Sequence, residues 1–129
     1  MADKTAIRTE RAPAPFQGAP YSQAIRVGDL VFVSGQLALE PDHAEIVGAT
    51  IQEQTEQVMQ NLGAILDEAG SGLDKLVKTT VFLVDLGDFA GMNEVYARHV
   101  GSVPPARATV EISALPSGAR VEIEAVGHV

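Results

Sequence analysis

The stretch PPARATVEISALPSGARVEIEAV, residues 104–126, holds two segments of strict alternation around a Leu-Pro-Ser-Gly break. In the first, Arg107, Thr109, Glu111 and Ser113 alternate with Ala108, Val110, Ile112 and Ala114. In the second, Arg120, Glu122 and Glu124 alternate with Val121, Ile123 and Ala125. Successive side chains of a strand point to opposite faces, so the pattern predicts two half-buried strands, each with one polar face. Those polar faces carry unusual chemistry, because Arg107 and Glu122 are framed by small residues. A guanidinium offers a fork of donors matched to a carboxylate, and a glutamate can take a proton from water. The same two residues equally describe a solvated ion pair, worth ~0–1 kcal/mol. Spacing alone leaves both readings open, since structural ion pairs mimic sites.

Upstream, Pro104-Pro105 impose an extended approach to the Arg107 strand. Before them a helix is predicted to start near Asp85 or Asp88, to bury Phe89, Met92, Val95, Tyr96 and Val100, and to stop at Gly101. Gly87 and Gly91 each weaken it by ~1 kcal/mol relative to Ala, so it must gain stability by packing on a sheet. Residues 77–84 alternate as a strand, with Val77, Thr79, Val81 and Leu83 on one face and Lys78, Thr80, Phe82 and Val84 on the other. The clearest helix spans 50–69. Thr50 and Glu53 form a capping-box pattern, Ile51, Thr55, Val58, Leu62, Ile65, Leu66 and Ala69 recur at helical spacing, and Gly70 marks the stop.

Residues 24–27 and 30–35 flank Gly28-Asp29, a two-residue break suited to a tight hairpin. Leu30 to Val33 are apolar on both faces, as in a central strand covered on both sides. Gly35 after Ser34 allows a backbone or ligand to come close. Residues 1–17 read as an irregular lead-in, mobile at its extreme end. The order β-β-α-β-α-β-β, with neither repeat nor linker over residues 1–129, predicts a single α+β domain: one sheet with two helices on one face. Its other face keeps Val, Leu and Ile, and self-association is the simplest cover.

Composition narrows the function classes. At 46% hydrophobic and 20% charged residues the chain is globular rather than disordered. No apolar run reaches the ~18 residues of a membrane span, and the N-terminus lacks the apolar core of a secretory signal, so a cytoplasmic protein is expected. Without cysteine, no thiol nucleophile, disulfide or Cys-ligated zinc is available. Seventeen acidic residues against nine Lys and Arg, without a basic cluster, argue against nucleic acid as a partner. His43, His99 and His128 share no metal-ligand spacing, so no metal is expected.

Six motifs in order, PYSQA at 20–24, VSGQ at 33–36, VKTTVFL at 77–83, NEVYA at 93–97, PAR at 105–107 and VEIEA at 121–125, resemble the reactive intermediate deaminase (Rid, YjgF-like) family, also called L-PSP endoribonuclease. The resemblance runs from about Ala12 to the C-terminus. It implies a chorismate-mutase-like mixed sheet, a homotrimer with ligand clefts between subunits, and last strands that need not be neighbours. It also implies hydrolysis of 2-aminoacrylate and related enamines or imines, products of pyridoxal-phosphate enzymes, to 2-oxo acids and ammonia, with no cofactor.

In that resemblance Arg107 grips the substrate carboxylate and Glu122 holds and activates water. Tyr21, Ser34, Gly35, Asn93 and Thr109 match further substrate-binding positions. Thr109 departs from the common pattern, which has cysteine there, and the approach Phe16-Gln17-Gly18-Ala19 to Pro20-Tyr21 departs as well. On residue chemistry alone Tyr21 is also a packed aromatic, Ser34 a strand-end hydroxyl bonding backbone, and Thr109 a β-former. Phe89 and Met92 read as core. The rival function is a non-catalytic small-carboxylate binder or regulator; a ribonuclease and a holdase stand behind it.

Overall fold

In the computed structural model, which describes residues 3–129, Thr50 starts helix α1 (Ile51–Glu68). Its hydroxyl accepts the Glu53 N–H at 3.1 Å, and the Glu53 carboxylate accepts the Thr50 N–H at 3.3 Å. This reciprocal pair satisfies two N–H groups that a helix start leaves without partners. At the far end Gly70 takes a left-handed φ of 84°, which glycine adopts without a Cβ penalty. Between these ends Val58, Met59, Leu62, Ile65 and Leu66 are fully buried against the sheet.

That sheet has six strands: β1 (Lys4–Ile7), β2 (Ala24–Val27), β3 (Leu30–Gln36), β4 (Leu76–Leu83), β5 (Ala106–Glu111) and β6 (Val121–His128). Their spatial order is β1-β2-β3-β6-β4-β5, antiparallel except for the parallel pair β4–β5. The predicted hairpin is present, with Val27 opposite Leu30 and Gly28 at φ 57°. The last two strands are not neighbours, because β6 pairs with β3 and β4 and leaves β5 as an edge. Helix α2 (Phe89–Tyr96) packs beside α1 over the same face. The result is a mixed α+β fold. Among the described residues no helix is long and apolar enough to cross a membrane.

Several expectations are corrected. The lead-in is not irregular throughout: Lys4 to Ile7 pair antiparallel with β2, in a segment too short to show its own alternation. The expected mobility of the extreme N-terminus falls on Met1 and Ala2, outside the described residues. Val77 does not share the buried face of Thr79, Val81 and Leu83; an irregularity between Leu76 and Lys78 turns it out, 44% exposed, and buries Leu76 instead. The Arg107 strand is not half-buried by its apolar residues, since Val110, beside Phe82, lies on the open face and is 41% exposed, while Arg107 takes the helix side. The start of α2 falls directly after Asp88, within the expected bounds: Asp85 caps a 3-10 turn at Gly87 (2.8 Å), whereas Asp88 forks to Arg120 at 3.0 and 3.2 Å.

The open face of the sheet holds Val27, Leu30, Phe32 and Val110, all exposed in the single chain. Thus β3 is central but covered on one side only. Cutting Leu62 to Ala should lower unfolding free energy by about 2–5 kcal/mol, and Thr50→Ala by about 1 kcal/mol. Chemical denaturation of both variants measures this, and the ranking Leu62 over Thr50 is the expected outcome.

A candidate active site in two halves

Glu122 sits on the open face of β6, flanked by Val121 and Ile123, which point into the core. Its carboxyl lies against Gly35 at the end of β3. A Cβ built on Gly35 would come 2.8 Å from Glu122 Cδ, so glycine is what leaves the carboxyl room. Burial pushes the Glu122 carboxyl above its ordinary value, and the neighbouring Glu124 charge pushes it the same way. Ser34 and Tyr21 line the same cavity, which measures about 560 Å³. Its walls are Pro13, Ala14 and Phe16 of the lead-in, Leu37 and Leu39 after β3, and Pro116 of the turn before β6.

These walls are loops, yet each is pinned by a side chain. The Tyr21 hydroxyl accepts the Phe16 N–H. Ser34 donates its hydroxyl proton to the Ser22 carbonyl at 2.6 Å. Buried Gln23 accepts the Thr9 N–H at 2.7 Å and donates to the carbonyls of Thr9 (3.0 Å) and Pro13 (2.8 Å). Asn61 of α1, also buried, donates to the carbonyls of Leu37 (3.1 Å) and Leu39 (2.8 Å). Sequence reading missed Asn61 and Gln23. The signal for Asn61 was present, a polar residue three positions after Val58 and four before Ile65 on the apolar stripe.

Arg107 lies elsewhere. It stands beside Thr79 in the β4–β5 pairing, whereas Glu122 stands beside Phe82 in the β4–β6 pairing. Thr79 and Phe82 are three residues apart on one strand and therefore face opposite sides. Arg107 and Thr109 point to the helix side, and Glu122 to the open side. The Arg107 guanidinium carbon is 4.8 Å from the centre of the Tyr96 ring and 5.5 Å from that of Phe89. Phe89 is thus not core as expected; it is 43% exposed beneath the arginine. Asn93 occupies the same face of α2, four residues after Phe89 and three before Tyr96.

The seven candidate residues therefore form two groups in one chain: Arg107, Thr109 and Asn93 on the helix side; Glu122, Gly35, Ser34 and Tyr21 on the open side. Neither group is neutralised internally. Arg11, Arg98 and Arg120 each meet a carboxylate within 3.3 Å, but among the described residues Arg107 meets none. His43 and His99 each pair with one glutamate at 2.9 Å, and the bond from His99 holds the Glu56 carboxyl below its ordinary value. Among the described residues no three His, Asp or Glu side chains are grouped to hold a metal ion.

The raised Glu122 value has a stability consequence with a definite sign. A group whose pKa is higher folded than unfolded favours the folded state while protonated, and that contribution is lost as pH rises through the folded value. Glu122→Gln should therefore match the wild-type stability below the unfolded carboxylate range and exceed it at pH 7. Urea unfolding at the two pH values measures the difference; equal stability at both would contradict the desolvated carboxyl.

The family described as Endoribonuclease L-PSP matches residues 9–129. A RutC family protein of Pyrococcus abyssi is 50% identical over 125 residues, covering 97% of both chains. The mouse 2-iminobutanoate/2-iminopropanoate deaminase is 43% identical, covering 93% of this chain and 87% of its own. The structure of Escherichia coli TdcF with bound serine superposes with a TM-score of 0.89 at 37% identity, covering 97% of this chain and 98% of its own. With its six motifs, its fold and these relatives in agreement, the chain belongs to the reactive intermediate deaminase (Rid) or L-PSP endoribonuclease family.

Proposed function

We propose that the protein is a 2-iminobutanoate/2-iminopropanoate (2-aminoacrylate) deaminase, with each site built from two copies of the chain. The observation that carries this reading is an unpaired Arg107 and a desolvated Glu122 on opposite faces of one sheet. Such a pair cannot meet one small substrate within a single chain. Joining the helix side of one copy to the open side of the next is a heterologous contact, which closes into a ring. A homotrimer fits this need, and it also covers Phe32, Val110 and the other exposed apolar residues of the open face.

In this reading Arg107 takes the carboxylate of the 2-imino acid through two parallel N–H donors, fixing orientation as well as charge. Glu122 from the adjoining copy accepts a proton from water as the oxygen adds to the imine carbon. That proton passes to the imine nitrogen to give a carbinolamine, whose hydroxyl proton Glu122 then carries to the nitrogen as the carbonyl forms and the C–N bond breaks, leaving ammonia and a 2-oxo acid. A carboxyl held above its ordinary value suits a base that must also return its proton near neutral pH. Asn93 and Thr109 flank the carboxylate end; Tyr21, Ser34 and Gly35 shape the water end. No step calls for a cofactor or a metal. The substrate class agrees with the names of the mouse relative and of the Arabidopsis thaliana Reactive Intermediate Deaminase A. A cytoplasmic setting alongside pyridoxal-phosphate enzymes acting on serine or threonine matches that role.

A second reading, a small-carboxylate binder without turnover, draws on the serine bound to TdcF. The two readings part at Glu122. Arg107→Ala should weaken binding of 2-oxobutanoate on the order of 10²-fold by removing a charge-assisted bidentate contact. Glu122→Gln should keep that binding while ammonia release from 2-iminobutanoate falls by about 10²–10⁴-fold. Retained turnover in Glu122→Gln would move the binder ahead.

The shared site has its own signature. When the two inactive variants are unfolded together at equal amounts and reassembled, about a quarter of the contacts should combine an intact Arg107 with an intact Glu122. Activity should return to about that fraction, with light scattering giving three times the chain mass. A mixture as inactive as its components would refute a site divided between copies.

A further inference from the structure

The helix-side half contains a device that none of the compared proteins' names describes. Arg107 is half-buried at an edge strand in a chain with eight more acidic than basic residues, yet among the described residues no carboxylate reaches it. Two aromatic rings occupy the space instead, Tyr96 at 4.8 Å and Phe89 at 5.5 Å from the guanidinium carbon. A ring face attracts a cation through its quadrupole without cancelling the charge, so the fork of donors stays free for an incoming anion. The Tyr96 ring is itself held. Its hydroxyl shares a 2.7 Å hydrogen bond with Thr79 Oγ1, both side chains are buried, and Thr79 is the β4 residue paired with Arg107.

We propose that Tyr96 and Phe89 are positioning residues for Arg107, clamping the guanidinium plane so that its free edge is presented to the substrate carboxylate, with Thr79 fixing the Tyr96 ring. The proposal rests on the deaminase reading for its ligand but not for its geometry. Pre-ordering the long arginine side chain removes a rotamer cost that binding would otherwise carry. Because a carboxylate clamp acts in ground state and transition state alike, losing the ring support should raise KM and leave kcat nearly unchanged. A general loss of packing would lower kcat and stability together.

The experiment combines a spectroscopic reading of Arg107 with a binding reading. In labelled wild-type protein the Arg107 Nε–H and Cδ proton signals should be displaced by the ring currents of the two aromatics. Phe89→Leu and Tyr96→Leu should each move these signals toward those of an unstacked arginine. Both should raise the Kd for 2-oxobutanoate and the KM for 2-iminobutanoate by about 2- to 30-fold, the range of a cation–π contact. In both, kcat should stay within about twofold. Tyr96→Phe keeps the ring but loses the Thr79 bond, so its Kd should lie between wild type and Tyr96→Leu. If Tyr96→Leu fails to fold, Phe89→Leu decides alone, since that ring is 43% exposed and fills no core volume. Signals that move while Kd and KM do not would overturn the positioning role alone, as would unshifted signals in the wild type. A wild type with shifted Arg107 signals that neither binds 2-oxobutanoate nor hydrolyses the imine would overturn the deaminase reading and the positioning role with it.

Discussion

Alternation along β4 is the constraint on which the site depends. Thr79 and Phe82 face opposite sides, so their partners Arg107 and Glu122 do as well. No rotamer change can bring the two together, because the sheet lies between them. Insertion of β6 between β3 and β4 then sets what each meets. Glu122 is brought to Gly35 on β3, while β5 is left at the edge, where Arg107 can reach over α2. Strand order thus decides which residues keep company more than distance along the chain does; Arg107 and Glu122 are close in sequence and separate in space.

The same separation solves an electrostatic problem. A guanidinium and a carboxylate on one face of one chain would pair with each other, and a substrate would have to break that pair before binding. On opposite faces each keeps its capacity. Glu122 is desolvated and next to Glu124, and neither influence favours its charge. Arg107 is satisfied by neutral rings rather than by one of seventeen acidic residues. Both are costs to the isolated chain, and a small anionic ligand can relieve the one at Arg107.

Much of this was legible beforehand where a local rule governs. The capping box at Thr50, the glycine stop at Gly70 and the two-residue turn at Gly28-Asp29 each depend on a few adjacent residues, and each stands where expected. Alternation identified the faces of β6 correctly. It failed at Val77, where an irregular register reverses the faces, and at β5, whose apolar residues turn to the open face while Arg107 turns to the helices. Phe89 read as core because helical spacing cannot tell a ring against the sheet from a ring beneath an arginine. The family resemblance implied clefts between subunits, but which face Arg107 and Glu122 each take was illegible in their spacing, because it follows from strand order, which is set by long-range pairing.

The cavity beside Glu122 shows how irregular chain can still hold a shape. Its walls at Pro13, Ala14, Leu37 and Leu39 lie outside strands and helices, and those at Phe16 and Pro116 lie in single 3-10 turns, so their backbone polar groups lack ladder partners. Gln23 takes up Thr9 and Pro13, Asn61 takes up Leu37 and Leu39, and the Tyr21 hydroxyl takes up Phe16. The amides are buried, and each serves two wall segments or two carbonyls, so exchanging either bond for water would expose core. The shape beside Glu122 is in this way borrowed from the deeply packed α1 and from buried Gln23, which leads into β2. Arg107 has no such backbone support at its edge strand, which is why rings from α2 must supply the order there.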